Sequence, residues 1–307
     1  MAQLSLPPMQ SAPCPFCRAP SDSVLRQRPD YEYGIRVQLD YHRCRACGLV
    51  FADPIPVEDI PSFYASYSTH GQHTQGRLPL LARASRGVML REFASLVPSG
   101  KDEPVLDFGC GDGSFLAELR GMGFKHLVGY DFDPQARRAA RLVGAQVAES
   151  EDELPGLGPF AVITLNHVIE HMVDPPRDLR RLGSMLRPGG KLVIRTPNAS
   201  SVLSRGLGEA WRGWETPRHL HVFTPASVRA MARLPALSDF AMTRLFTSES
   251  MYLGIFHESL RNGLWRNPAG KLARHAAALV SWAGLSAVNA FAPVGEELVV
   301  AFERRSA

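Results

Sequence analysis

The sequence is short of lysine, of long apolar runs and of cysteine, and each shortage removes a class of function. Four of its 34 basic residues are lysines, the rest are scattered arginines, and with 30 acids the formal net charge is +4. No dense basic block is present of the kind that neutralises a run of phosphates, so a nucleic-acid partner is not expected. The opening segment MAQLSLPPMQ has neither a basic start nor an apolar centre, and no secretory leader is read there. The longest small-apolar run, AAALVSWAGLSAVNAFA at 276–292, carries Ser and Asn. It falls short of the ~20 residues of a membrane span, so no span is expected there and a buried helix is. Five cysteines and no leader argue against a disulfide framework, and a cytoplasmic protein is expected.

What remains is an ordinary globular composition, 45% hydrophobic and 21% charged over 307 residues. Such a chain can bury one large core, or one core with a small satellite module. The satellite is legible in the cysteines. Cys14 and Cys17 stand in CPFC, Cys44 and Cys47 in CRACG. Each C-x-x-C pair lets two thiolates converge through a tight turn, and two such turns complete the tetrahedral sulfur set of a structural zinc site. Gly48 suits the positive φ that such a turn requires. With all four positions filled by protein, the expected Zn²⁺ is structural. A zinc-ribbon-like module over 1–55 is predicted, followed by a linker and helical lead-in over 56–98.

From residue 99 onward strands and helices alternate. Strands are expected at 104–109, 127–131, 145–148, 160–166, 191–196, 241–246 and 297–305, and helices at 77–97, 114–122, 134–143, 175–186 and 225–233. This pattern is that of an α/β, doubly wound, Rossmann-like seven-stranded sheet with helices on both faces. A stretch at about 247–295 exceeds what a hairpin needs. It is expected to be a helical insertion serving as a lid over the acceptor, or as a contact between two copies of the chain in a homodimer, in preference to a contact with a membrane surface.

The stretch VLDFGCGDGSF places Gly109, Gly111 and Gly113 directly after an apolar strand. The dinucleotide fingerprint is G-x-G-x-x-G, but here position 114 is serine and Asp107 precedes the first glycine. A carboxylate at that strand end sits badly beside a pyrophosphate and well beside an ammonium group. Asp131, at the end of the next strand, can accept both hydroxyls of a ribose. A nucleoside with a ribose and a cationic amino-acid tail is S-adenosylmethionine.

On these residues the chain resembles the class I S-adenosylmethionine-dependent methyltransferases over about 105–198. The likeness continues in LPGLGPFAVITLNHVIEHMVDP and LRPGGKLVIRTPN. It implies that Asp107, Gly109 and Gly111 line the methionine end of the donor, with Cys110 a small filler in the same turn. Asp131 would meet the ribose, Phe132 the adenine face, Ser150 or Glu151 the adenine edge, and Asn166 the fourth-strand side. The cysteine module joined to such a core is also similar to sugar C-methyltransferases, which commonly carry a further C-terminal domain. With the chain closing on its last strand, the broader small-molecule branch is the expectation.

For the acceptor, RGWETPRHLHVFTPASV at 212–228 gathers Glu215, His219 and His221. Two histidines at i and i+2 project to one side of an extended segment, as a base and its orienting partner would. NHVIEH adds His167 near the donor, whereas His171 is read as packing or bonding locally. A deprotonating histidine suits methylation at oxygen or at an activated carbon of a small molecule, such as a secondary metabolite, sugar or quinone. Competing readings are a nucleic-acid or protein methyltransferase gripping its substrate with the zinc module, and a non-catalytic scaffold. Against the first, the module mixes acids with its arginines and no N-P-P-Y tetrapeptide ends strand four. Against the second stands the pairing of Asp107 with Asp131.

Overall fold

A computed structural model describes residues 12–28, 39–64, 80–97, 100–250 and 294–306, together with residues 30, 34, 35 and 37. The first part of the chain forms β1 (Ser21–Arg28), β2 (Leu39–Cys44) and β3 (Val50–Ala52), then the short helix α1 (Ile60–Phe63) and the long helix α2 (Leu80–Leu96). The alternating part runs β4 (Val105–Phe108), α3 (Ser114–Gly121), β5 (Leu127–Tyr130), α4 (Pro134–Leu142), β6 (Gln146–Val147), α5 (Leu154–Leu157), β7 (Phe160–Asn166), α6 (Pro175–Gly183) and β8 (Leu186–Pro197). It closes with α7 (Val202–Leu207), β9 (His221–Val222), α8 (Pro225–Met231), β10 (Phe240–Ser248) and β11 (Glu297–Arg304).

Seven strands form one sheet in the order β10-β11-β8-β7-β4-β5-β6. The pairs β6/β5, β5/β4, β4/β7 and β7/β8 are parallel, and β11 runs antiparallel to both β8 and β10. This is the expected α/β fold. Both faces of the sheet are covered, which is why β4 and β7 read as near-continuous apolar runs. Val105, Val162 and Val193 pack on one face with Phe93, Leu116 and Leu119, while Leu106, Ile163 and Ile194 pack on the other with Leu179 and Leu182. The chain winds from β4 to β5 on one side and returns to β7 on the other, so a crevice opens at the carboxyl end of β4. Local signals set the helix starts: Asp133, Asp174 and Ser201 accept from backbone amides at their N-caps, and Thr224 and Ser227 form a capping box.

Three features depart from the sequence expectation. Helix α6 stops at Gly183 and β8 begins at Leu186, five residues before the predicted strand. The early start passes through Gly190, where a Cβ would stand 2.9 Å from Arg187 O and 3.0 Å from Phe160 O, so only glycine lets the strands approach. Strand β1 was unpredicted. A second sheet, in the order β1-β2-β3-β9, takes its last strand from residues 221–222, far along the chain. The insertion expected at about 247–295 lies outside the described residues except at its ends. Among the described residues no helix is long and apolar enough to cross a membrane.

Candidate active site

The turn after β4 explains its three glycines. Gly109, Gly111 and Gly113 have φ of 79°, 53° and 78°. A Cβ on Gly109 would lie 2.4 Å from Val168 Cγ2, and one on Gly113 would lie 2.8 Å from the Ala140 backbone. The turn is hung on β5 by the amides of Gly109 and Cys110, which both donate to Tyr130 O. The Cys110 side chain is buried in the core, and its Sγ lies where a Cβ on Gly129 would meet it.

Two acids frame this turn. Asp107 is buried, and its Oδ1 accepts from Thr164 Oγ1 at 2.6 Å and from Asn166 Nδ2 at 3.1 Å. Burial pushes its carboxyl up to about 6 although those two hydrogen bonds pull the other way. Asp131, just past β5, takes the Gly111 amide on Oδ2 and the Asp133 amide on Oδ1, both at 2.9 Å. Each carboxylate oxygen can accept more than one hydrogen bond, so the turn orients this group without using it up.

A cleft of about 670 Å³ opens between these strand ends. Gly109, Asp131, Phe132, Glu151, Asn166 and His167 line it, as does His171. The Phe132 ring is 55% exposed and meets Tyr64 edge-on at 4.8 Å. Ser150 is not part of the wall, although Glu151 beside it is. A second cleft, of about 750 Å³ around Pro159, Arg187 and Arg304, lies at the other end of the strands and holds none of the glycine turn.

Behind the cleft stands a layer of histidines and carboxylates. His167 has φ of 56°, and its ring lies between Glu297, with Nε2 at 2.7 Å, and Glu170, with Nδ1 at 3.3 Å. Burial opposes its charge, but the two carboxylates overcome that and hold its pKa up at about 10. His171 Nδ1 lies 2.9 Å from Arg218 O. A carbonyl can only accept, so Nδ1 carries a proton and Nε2 is the ring nitrogen left for another partner. Edge-on against His171, at 4.7 Å between ring centres, lies His219.

His219 is buried and donates from Nδ1 to Gly213 O at 2.8 Å. Its Nε2 stands 3.7 Å from Glu215 and 4.0 Å from Glu170. Burial drives its pKa down to about 4 in spite of Glu215. Glu215 is itself buried, yet Arg212 at 2.9 Å and Arg218 at 3.2 Å hold its carboxyl below the ordinary range.

The structure does not bring the predicted histidine pair together as base and orienting partner. His221 donates from Nδ1 to Met172 O and stacks on Phe16 at 6.0 Å, away from the cleft wall. Strand β9 begins only at His221, so His219 sits in the preceding turn and the two-residue period does not apply to it. His171, read from the sequence as packing or bonding locally, lines the cleft together with His167. Nothing in its spacing signals this, because its orientation depends on a carbonyl 47 residues away.

The four N-terminal cysteines converge. Their sulfurs lie within 4.8 Å of one another, with Cys14 to Cys47 at 3.7 Å and Cys17 to Cys44 at 3.4 Å. A tetrahedral zinc with Zn–S of about 2.3 Å needs edges of about 3.8 Å, so the set fits. The two turns share one bonding pattern: Arg18 N to Cys14 O and Gly48 N to Cys44 O, with φ of 61° and 71°. One ligand atom each from Glu170, His171 and His219 also falls within 4.8 Å of the others. There, however, His167 already sits against Glu170, and arginines sit against Glu215 and Glu297. The local charge is balanced without an added cation.

A family model described as a methyltransferase domain matches residues 81–234. The chain is similar to ubiquinone biosynthesis O-methyltransferase from Xanthomonas axonopodis pv. citri, 34% identical over 114 residues that make up 34% of this chain and 46% of that protein. It is also similar to tRNA U34 carboxymethyltransferase from Shewanella halifaxensis, 33% identical over 105 residues, 31% of this chain and 32% of that protein. The chain thus spans less than half the length of these two relatives. Among solved structures, an S-adenosylmethionine dependent methyltransferase from Mesorhizobium loti is 17% identical, with a TM-score of 0.47 over 73% of this chain and 100% of that one.

Proposed function

The chain belongs to the methyltransferase domain family, and from that premise we propose that it transfers a methyl group from S-adenosylmethionine to an oxygen, or an activated carbon, of a small molecule. The observation that carries this reading is the pair of buried carboxylates, Asp107 and Asp131, on adjacent strand ends with the glycine turn between them. Asp107 meets the ammonium of the donor and Asp131 its ribose hydroxyls. Gly109 and Gly111 give the backbone room, the exposed Phe132 ring covers the adenine, Glu151 with its neighbour Ser150 meets the adenine edge, and Asn166 ties the fourth strand to Asp107. When bound, the donor supplies an electrophilic methyl group and leaves as a neutral thioether.

His171 Nε2 takes the acceptor's proton, because Arg218 O keeps the other ring nitrogen protonated. His219, neutral and oriented by Gly213 O, packs behind it, with Glu215 and Glu170 bounding the ring. His167 is held as an imidazolium and cannot accept a proton. Its part is to bridge Glu170 and Glu297, which joins the end of β7 to β11. The four cysteines hold a structural Zn²⁺. In this reading the chain divides into a zinc module over 1–55, a lead-in over 56–98 and the methyltransferase domain over 99–307.

A second reading takes a nucleic acid as acceptor, and the similarity to a tRNA-modifying enzyme favours it. Against it stand the modest net charge, the acids among the module's arginines and the missing N-P-P-Y tetrapeptide, none of which outweighs that similarity. Calorimetric titration with S-adenosylmethionine and S-adenosylhomocysteine tests the donor site: micromolar binding of both is expected, and a folded protein that binds neither overturns the reading. Label from a methyl-tritiated donor should then enter small phenols rather than total tRNA. Incorporation into tRNA alone establishes the second reading.

A further inference from the structure

The sheet formed by the cysteine module is finished by a strand that belongs to the acceptor side of the site. Val50 pairs with Val222 and Phe51 with His221, and Ala52 N donates to Leu220 O at 2.9 Å. From β2, the buried Tyr41 donates its hydroxyl to His219 O at 2.9 Å. Thr224 Oγ1 donates to the carbonyl of Cys47, one of the four sulfur residues, at 2.6 Å, while it also caps α8. A Cβ on Gly48 would lie 3.3 Å from Thr224 Cγ2, so the second cysteine turn is seated against that cap. Phe16, between the cysteines of the first turn, stacks on His221 and Phe223.

The same segment is fixed from its other side by the turn after β7. Leu220 N donates to Glu170 O at 2.8 Å, and Arg218 O receives His171 Nδ1. Leu220 is therefore a joint, its carbonyl on the module and its amide on the turn that carries His171. A two-residue strand cannot hold its own register, because nearly all of its pairing energy comes from neighbours. The cysteine module holds 218–224 on one side, while the turn after β7 and Ala199 N, which donates to Phe223 O, hold it on the other.

We propose that Tyr41 and the Cys47–Thr224 contact are positioning residues, through which the four-cysteine centre holds 218–224 and so sets His219 against His171. This deepens the methyl-transfer reading, on which the role of His171 rests. In this arrangement the module is neither a grip for a macromolecule nor a detached stabiliser. It is the back of the acceptor wall, while the donor acids Asp107 and Asp131 stand at the ends of strands that do not pair with its sheet.

The full-length, zinc-loaded protein tests this without an identified acceptor. In Tyr41→Phe, which keeps the ring and loses one hydroxyl, hydrogen exchange at Leu220 should rise at least tenfold. The imidazole resonances of His219 and His171 should shift, zinc content should stay at its wild-type level, and the affinity for S-adenosylhomocysteine should change less than threefold. Removing zinc by chelation should raise exchange over 218–224 and 169–172 ahead of 105–113. Thr224→Val, which breaks the tie to Cys47 and keeps the side-chain volume, should give the same signature if the chelated protein unfolds. Unchanged exchange and histidine resonances in Tyr41→Phe and Thr224→Val overturn the proposal. So does a parallel loss of S-adenosylhomocysteine affinity, which would make the module a support of the whole fold. A protein that binds no donor yet shows the exchange changes refutes the methyl-transfer reading and leaves the positioning geometry standing.

Discussion

Asp107 is costly to the empty protein, and on the methyl-transfer reading its charge is what a cationic donor requires. With its carboxyl pushed up to about 6 from an ordinary 3.8, the native state holds a proton that the unfolded chain has already lost between about pH 4 and 6. Stability therefore falls as pH rises through that window, and the deficit persists above it. Asp107→Asn should raise the stability of the ligand-free protein at pH 7 by on the order of 1–3 kcal/mol, read from urea denaturation. The same variant should lose S-adenosylmethionine binding. A cationic ligand favours the carboxylate, so donor affinity in the wild type should weaken below about pH 6, approaching tenfold per pH unit. A flat profile from pH 5 to 8 would show that Asp107 does not face the donor's charge. At the acceptor, His171→Asn should lower turnover on the order of 10²-fold or more and leave S-adenosylhomocysteine affinity nearly unchanged. His221→Phe separates structure from chemistry. Burial drives the His221 pKa down to about 4, so the unfolded chain gains a proton first as pH falls below 6.5, and that part of the stability is lost toward pH 4. The Phe variant should flatten this acid-side loss in thermal scans from pH 7 to 4, with donor affinity intact.

Among the elements, the β4–α3 turn is where the methyl-transfer reading joins backbone conformation to binding, and two glycines distinguish strain from collision. Gly189 has φ of 73° and nothing within 4 Å of an added Cβ, so Gly189→Ala meets only the left-handed penalty, about 1–2 kcal/mol. Gly109→Ala adds a collision with Val168 to a similar penalty, and the turn must leave the end of β7. Its S-adenosylhomocysteine affinity should fall at least tenfold, while Gly189→Ala should bind as the wild type does. This turn was legible in the sequence because its requirements are local: an apolar strand buried on both faces, glycines where a Cβ cannot stand, and acids at the strand ends. Strand β1, SDSVLRQR, was not legible, since a largely polar strand on a small module carries little periodicity. Strand β9 could not be read from two residues, because its partner β3 lies about 170 positions earlier. The orientations of His171, His219 and His221 were hidden for the same reason. His171 and His221 are set by the carbonyls of Arg218 and Met172, 47 and 49 positions away, and His219 by Gly213 in its own loop, and the spacing of histidines carries no trace of these partners.

For the whole molecule, the cysteine module shares its apolar core with the central sheet. Phe16, Leu49 and Phe51 belong to the same cluster as Phe223, Val228, Met231 and Leu298. A module packed in this way cannot lose its centre without disturbing what lies against it. Left empty, the site divides its thiols: burial pushes the Cys14 thiol up to about 11 and raises Cys47 as well, while, against burial, the amides of Cys47 and Ala46 and the Cys17 sulfur draw Cys44 down to about 7. A dication supplies the charge that makes deprotonated sulfur stable there, and its binding energy then becomes folding energy. Purified protein should carry one zinc per chain by elemental analysis, and chelation should lower the thermal midpoint by roughly 5 °C or more. Cys17→Ser and Cys44→Ser should each give metal-free protein with the same lowered midpoint. Normal folding of metal-free protein at the wild-type midpoint would exclude a structural zinc. Two equivalents, with the second lost in His171→Asn and the first retained, would place an ion on Glu170, His171 and His219, and His171 would then act as a ligand rather than a base. Metal content of the wild type and of that variant thus discriminates between acid–base and metal-assisted chemistry at the acceptor, before any acceptor is known.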